Sequence, residues 1–168
     1  MVVAGVDIGQ RRDFTAVVTL DNLGAVRGAH RLRLGQRWET IVASVAELVE
    51  TADPVVIDAT GVGAPVAEVL GSRITGKVIP LVFTSSSKRE LVGMLAHVIG
   101  ERRIHVPPDC PGADDLSEEL RRFVASPTRT GWALTGKAGG GHDDLVMALA
   151  LAVRAALFRR MSPSPRVH

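Results

Sequence analysis

The sequence has few residues that could form covalent cross-links or stack on nucleic-acid bases. It contains one cysteine, no tyrosine and only 4% aromatic residues in a chain of 168. A single cysteine, Cys110, excludes an internal disulfide bond and favours a reducing compartment such as the cytoplasm. The scarcity of aromatic side chains argues against a base-stacking platform of the kind that binds single strands.

Long apolar runs and a strong excess of one charge are also missing. No run of about 18 uncharged apolar residues offers a membrane span, and the first residues lead into a strand-like pattern rather than a signal peptide. We therefore expect a cytoplasmic protein with no membrane partner. The net charge is only +2, but the pI is about 9.2 and arginine outnumbers lysine. This bias is compatible with phosphate contacts and equally with a high-GC genome.

The length and the 46% hydrophobic content are typical of one globular domain. We predict a single domain over residues 1–160. Residues 161–168 include Ser162-Pro163-Ser164-Pro165 and are expected to form a disordered tail.

The order of the predicted elements indicates an α/β fold with a five-stranded mixed sheet flanked by helices. A strand at Val2–Ile8 and two more at Phe14–Leu20 and Ala25–Leu34 are joined by short turns, which predicts an antiparallel meander. After a helix come a strand ending at Asp58, another helix and a fifth strand, an order that predicts a parallel half. The helices are expected at 38–50, 64–70, 85–100, 116–124 and 142–160, the fourth and fifth strands at 55–58 and 77–82, a brief strand at 104–106, and a hairpin or irregular loop at 128–137.

Some finer features accompany this pattern. The third strand is expected to expose alternating arginines, Arg27, Arg31 and Arg33. The pair Asp53-Pro54 is expected to break the first helix.

Acidic residues stand at the ends of buried segments. Asp7 closes the first strand, Asp58 closes the fourth, and Asp143 and Asp144 open the last helix. If the first and fourth strands are neighbours, Asp7 and Asp58 lie side by side where such sheets place ligands. Carboxylates so close repel each other unless a cation intervenes, and hard oxygen ligands suit Mg²⁺ or Mn²⁺. Each acid alone could be a turn residue or a helix cap, but together they predict a metal site.

The spacing of the last helix divides its two acids. At about 100° per residue, Asp143 shares a stripe with Arg154, which must reach solvent. Asp144 lies instead above Leu151 and Ala155. We therefore expect Asp144 to face the sheet and bind metal directly, with Asp143 more peripheral.

Three segments together resemble the nuclease domain of phage terminase large subunits, which has the ribonuclease H-like fold. They are Gly5-Val6-Asp7-Ile8-Gly9 with Asp13-Phe14-Thr15-Ala16, then Val56-Ile57-Asp58-Ala59-Thr60-Gly61-Val62-Gly63, and finally Gly141-His142-Asp143-Asp144-Leu145-Val146-Met147-Ala148-Leu149-Ala150. The resemblance covers almost the whole chain in the right order. It implies a metal-dependent endonuclease that cleaves double-stranded DNA during viral genome packaging.

The resemblance also implies roles for individual residues. Asp7, Asp58 and Asp144 would be the catalytic metal-binding acids for two divalent ions, with Asp143 a neighbouring acid and Asp7 bridging both ions. His142 would position water or merely cap the helix, Lys88 would neutralise the scissile phosphate or merely be solvated, and Asp13 would make an outer contact or a turn. The stretch 128–141 looks like the family's mobile hairpin beside the cleft, and it could equally be a surface loop. Its expected DNA contacts are Arg129, Trp132 and Lys137.

Terminase large subunits carry an amino-terminal packaging ATPase that this sequence does not include, so DNA translocation is not expected of the chain itself. Its expected partners are DNA, a packaging ATPase domain, the small terminase subunit and the portal. Residues 131–138 nearly spell a phosphate-binding loop, but Ala138 stands where a hydroxyl should meet Mg²⁺, and no nucleotide is expected.

Three alternatives remain open on the sequence. A Holliday-junction resolvase-like nuclease would share dispersed carboxylates and prefer branched DNA. A sugar kinase or actin-like ATPase has a similar first strand but needs a second large domain. A catalytically inactive nucleic-acid-binding module would keep the fold without metal-dependent cutting.

Overall fold

The computed structural model describes residues 1–9, 13–128, 131–135 and 142–161. Seven strands and five helices follow one another within these ranges. They are β1 (Val2–Asp7), β2 (Ala16–Asp21), β3 (Val26–Arg31), α1 (Trp38–Leu48), β4 (Ala52–Asp58), α2 (Gly63–Gly71), β5 (Val78–Leu81), α3 (Ser85–Gly100), α4 (Ala113–Arg122), β6 (Val124–Thr128), β7 (Gly131–Thr135) and α5 (Asp144–Met161).

The central sheet has five strands in the order β3-β2-β1-β4-β5. The first three strands pair antiparallel, whereas β1 with β4 and β4 with β5 pair parallel. This confirms the predicted mixed sheet with a meander on one side and parallel strands on the other. It also makes β1 and β4 neighbours, on which the predicted acidic site depends.

Helices cover both faces of the sheet and divide the core in two. Along β1, Val3 belongs to the layer under α3, α4 and α5, while Ala4 and Val6 belong to the layer under α1 and α2. This alternation follows from the two-residue period of a strand. Helix α5 lies across β1, β2 and β4, and its residues 145–153 are all buried. It is therefore the central helix of the domain, and no helix among the described residues is long and apolar enough to cross a membrane.

The structure corrects the predicted role of Asp53-Pro54. Helix α1 ends at Leu48, before these residues, and both lie inside β4, joined by a cis peptide bond. A proline lacks the N–H that a central strand needs. The pairing accommodates it with a register shift, because Val2 pairs with Ala52 but Ala4 pairs with Val55.

Two further elements differ from the prediction. The expected strand at 104–106 is only a single bridge between His105 and Ala25, since Pro107 and Pro108 follow and cannot donate to a ladder. The fourth helix begins and ends earlier than expected, at Ala113 and Arg122. Most of the predicted tail lies outside the described residues, but its first residue, Met161, is the last residue of α5.

Candidate active site

Asp7 and Asp58 end two neighbouring parallel strands. Val6 of β1 pairs with Ile57 of β4, so the two acids follow at equivalent positions on the same sheet edge. Asp7 lies on the same face of β1 as Val3, and Asp58 lies on the same face of β4 as Val56. Both of these valines pack in the core layer under α5. Both carboxylates therefore emerge on the side of the sheet that α5 covers.

A glycine allows α5 to approach this sheet closely. A Cβ atom added to Gly5 would fall well inside contact distance of the backbone carbonyl of Ala148 and the amide of Ala152. Only glycine leaves that space empty. This close approach brings the start of α5, with the buried Asp143 and Asp144, towards the ends of β1 and β4.

The backbone after Asp58 is fixed by short contacts. The Thr60 amide donates to Asp58 Oδ1 at 2.8 Å, and the Phe83 amide donates to the Thr60 hydroxyl at 3.0 Å. The Ala59 amide donates to the carbonyl of Leu81 at 2.7 Å. These bonds tie the end of β4 to the end of β5 and hold the Asp58 carboxylate at the sheet edge.

Asp7 is the electrostatic centre of the cluster. Its pKa is raised from 3.8 to about 8, first by burial, then by the nearby charges of Asp58, Asp144 and, most weakly, Asp143. The Lys88 ammonium, in the first turn of α3, opposes this and lowers the pKa of Asp7. The Asp7 carboxyl group thus lies within electrostatic reach of three other acids and one lysine, namely Asp58, Asp143, Asp144 and Lys88.

Asp144 has the second perturbed carboxyl group. Burial is the largest cause that raises its pKa to about 6, followed by the charges of Glu119 and Asp143, with a weaker contribution from Asp13, while His142 lowers it. Its Oδ2 atom is buried without a hydrogen-bond partner and lies 3.6 Å from His142 Nδ1. The ring of His142 packs edge-on against Phe14, with centroids 4.8 Å apart.

These features fit a divalent cation. Several carboxylates that raise one another's pKa, and a buried carboxylate oxygen without a partner, are stabilised when a cation is placed among them. Within the described ranges, no three His, Cys, Asp or Glu side chains already stand in an arrangement that would hold one ion.

The structure corrects the argument that separated Asp143 from Asp144. Both acids are buried. Met147 and Ala150 share the helical stripe of Asp143 and Arg154, and they are as buried as Leu151 and Ala155 on the stripe of Asp144. Asp143 also precedes the first helical residue, so a helical wheel does not set the direction of its side chain. The preference for Asp144 now rests on its larger influence on the pKa of Asp7.

The predicted hairpin exists as the antiparallel pair of β6 and β7, in which Pro127 faces Trp132 in the register. It begins at Val124, earlier than expected, because α4 ends at Arg122. Of its predicted DNA contacts, Arg129 and Lys137 lie outside the described residues, and only the backbone position of Trp132 is described.

Sequence reasoning missed Glu119 and misplaced Arg31. Glu119 is buried in α4, and Arg31, expected to be exposed, has only 23% of its side chain exposed and pairs with Glu119. The signal for Glu119 was available, because it stands at helical spacing between the apolar Leu116 and Phe123. A charged residue in an apolar stripe is seldom buried without a partner.

A cavity of about 390 Å³ lies at the other end of the sheet, where β1 begins and α5 ends. Its walls are mainly apolar, and its one acid, Asp21, already accepts hydrogen bonds from the amides of Leu23 and Ala25. It therefore lacks the chemistry of the acidic cluster, which remains the candidate active site.

Known proteins share this arrangement of elements. Residues 4–156 match the family described as the terminase RNaseH-like domain. Over 151 residues the chain is 34% identical to the large terminase subunit of Thermus phage G20c, covering 88% of this chain and 30% of the relative. The chain thus spans about a third of the length of the curated relatives that it matches.

Solved structures agree with the sequence matches. The large terminase nuclease of thermophilic phage G20c with bound magnesium has a TM-score of 0.77 and 33% identity, covering 92% of this chain and 80% of that one. The nuclease domain of the large terminase subunit of bacterial virus Sf6, at 17% identity and a TM-score of 0.70, shares the fold over 90% of this chain and 87% of its own. The chain, with its ribonuclease H-like sheet and acidic edge, belongs to the terminase RNaseH-like domain family.

Proposed function

We propose that the chain is a divalent-metal-dependent endonuclease that cleaves double-stranded DNA as the nuclease domain of a phage large terminase subunit. The observation that carries the proposal is that Asp7 and Asp58 end neighbouring parallel strands on the face of the sheet that α5 covers. There, burial and three neighbouring aspartates raise the pKa of Asp7 to about 8. A carboxyl group in this environment ionises readily only when cations compensate its neighbours.

The oxygen-only donor set supports Mg²⁺ or Mn²⁺ as the metal. The similar nuclease of phage G20c was solved with bound magnesium and with bound cobalt, which also supports the use of a divalent ion. When bound, such divalent ions would stabilise the negative charge that develops on the attacking and leaving oxygens of a phosphodiester.

The chain's own residues would hold and orient this centre. Asp7, Asp58 and Asp144 would hold the ions, with Asp143 beside them, and Asp7 would give up its proton when metal binds. Lys88 would place positive charge beside the scissile phosphate. His142 lies 3.6 Å from Asp144 Oδ2 and would orient that carboxylate. Asp13, whose charge also acts on Asp144, would make an outer contact near it.

The hairpin of β6 and β7 would contact the DNA backbone through Arg129, Trp132 and Lys137. The matched relatives are large terminase subunits, so the proposed partners are a packaging ATPase domain, a small terminase subunit and a portal, in the cytoplasm of the host cell.

Plasmid digestion tests the proposal. Supercoiled plasmid is incubated with the protein in Mg²⁺, in Mn²⁺ and in chelator, with Asp58→Asn as the site variant and Asp109→Asn, in an exposed loop, as the matched control. We expect cutting with metal by the wild type and the control, and none with chelator or by Asp58→Asn. Cutting in chelator, or by Asp58→Asn at the wild-type rate, would contradict the proposal. Faster cleavage of a four-way junction than of linear duplex would favour a resolvase activity instead.

A further inference from the structure

The first turn of α5 is capped by a residue from another helix. The Val146 amide, the third of this helix, donates to Glu119 Oε2 of α4 at 3.0 Å in the buried interior. In a helix with a side-chain cap, the amide of the second or third residue donates to the side chain of the residue just before the helix. Here that residue is Asp143, an aspartate well suited to the role.

A second contact fixes Glu119 in this position. Its other carboxylate oxygen accepts a hydrogen bond from the Arg31 guanidinium of β3. Arg31 also lies 4.0 Å from Asp115 and places its guanidinium 5.9 Å from the centre of the Phe14 ring. That ring in turn packs against His142. Arg31 is thus connected to the start of α5 both through Phe14 and through Glu119 of α4.

From this geometry we infer that Glu119 is a positioning residue of the active site, which caps α5 in place of Asp143 and so leaves both α5 aspartates to the metal cluster. The inference rests on the proposed metal site for its purpose, but the cap itself does not depend on metal. Without Glu119, the Asp143 carboxylate turns back to the Val146 amide, because a buried amide without an acceptor is costly. The acid is then withdrawn from the cluster.

The exchange of caps can be tested in chelator by urea unfolding. Position 143 is changed to Asn, which caps as well as Asp, and to Ala, which does not cap. This pair separates capping from charge, because both variants remove the charge. With Glu119 present, we expect the two variants to differ by less than about twofold in unfolding constant. In the Glu119→Ala background the Ala variant should unfold about fivefold more readily than the Asn variant, which is the ratio that corresponds to the usual value of an N-cap. An equal ratio in both backgrounds would overturn the inference.

Affinity for Mn²⁺, measured by titration calorimetry, tests the consequence for the site. Glu119→Ala should weaken binding about tenfold or more, a loss typical of residues that orient metal ligands. Glu118→Ala is the matched control on the exposed side of α4, where Glu118 pairs with Arg121 and Arg122, and it should stay within about twofold of the wild type.

Rescue by a paired substitution completes the test. Glu119→Gln alone sets an amide N–H against either Val146 or Arg31, which are both donors, and should weaken Mn²⁺ binding. Adding Arg31→Met removes one donor and lets the Gln oxygen accept from Val146, so the double variant should recover to within about threefold of the wild type. Arg and Met fill similar volumes, and such replacements of buried ion pairs are often tolerated. If Glu119→Ala does not fold, the comparison of Glu119→Gln with the double variant still tests the inference. A double variant that binds Mn²⁺ as weakly as Glu119→Gln would overturn it. Absence of Mn²⁺ binding by the wild type would contradict the proposed function and leave the urea result to judge the cap.

Discussion

Replacing Asp7 with asparagine should stabilise the metal-free protein while abolishing its response to metal. Folding moves the Asp7 carboxyl from an ordinary pKa of 3.8 to about 8, through burial and then through the charges of Asp58, Asp144 and Asp143. The folded protein therefore holds a proton that the unfolded chain releases above pH 3.8. Stability is lost as the pH rises from about 4 to about 8, and the loss is complete above that range.

The size of this effect follows from about 1.4 kcal/mol for each pH unit between the two pKa values. The raised pKa of Asp7 therefore lowers the free energy of unfolding of the wild type by about 2 kcal/mol at pH 5, about 4 kcal/mol at pH 7 and about 5 kcal/mol at pH 8. The asparagine side chain of the Asp7→Asn variant cannot ionise and avoids this cost. The variant should consequently exceed the wild type in stability by an amount that grows with pH.

Urea unfolding in chelator at pH 5 and pH 8 measures this difference. Asp109→Asn, a substitution in an exposed loop, is the control and should show no such growth. Adding Mn²⁺ at pH 8 should stabilise the wild type and leave the Asp7→Asn variant unchanged. A stability difference that is the same at both pH values would refute the reasoning, because it would mean that Asp7 does not lie in the repulsive environment described.

Three further predictions concern the same site. Asp144→Asn should abolish metal-dependent cleavage while Asp143→Asn retains part of it, as measured by initial rates of plasmid nicking, and equal residual rates would contradict the preference for Asp144. Gly5→Ala should lower the free energy of unfolding by at least about 2 kcal/mol in a thermal melt, because its Cβ collides with the α5 backbone. Gly93→Ala is its control, since a Cβ there meets nothing within 4 Å, and an equally small effect of both would argue against close packing of α5 on β1. Replacing residues 124–135 of the hairpin with a short Gly-Ser linker should slow DNA cleavage more than about tenfold while Mn²⁺ affinity stays within about threefold, and unchanged cleavage would remove the hairpin from DNA binding.

The sheet and the strand-end acids could be predicted because local patterns determine them. A continuous apolar run that ends in Asp7 indicates a strand buried on both faces, and the same holds for the run that ends in Asp58. The order of strands and helices restricts the topology, but the adjacency of these two strands was only a condition of the prediction, and the structure confirms it. The start of α3 was also predictable, because Thr84 and Ser87 form a capping box.

The features that the sequence did not reveal depend on contacts between distant segments. Glu119 and Val146 are 27 residues apart, and Arg31 and Glu119 are 88 apart. No local spacing connects them. The burial of α5 on all sides was missed for the same reason, since a helix surrounded by a sheet and two other helices has no solvent-facing stripe to recognise. The sequence did not indicate that Pro54 lies inside β4. The register shift that accommodates its missing N–H occurs in the pairing of β4 with β1, which no local pattern shows.

The central claim is that Asp7, Asp58 and Asp144 together hold divalent ions at the edge of the sheet. A crystal structure with Mn²⁺, with an anomalous difference map at a wavelength where manganese scatters strongly, measures this directly. We predict anomalous peaks at about 2.1 Å from carboxylate oxygens of all three residues, the distance typical of such small divalent ions, and no peak in crystals of the Asp58→Asn variant. Anomalous peaks elsewhere on the protein, with none near Asp7, would contradict the claim.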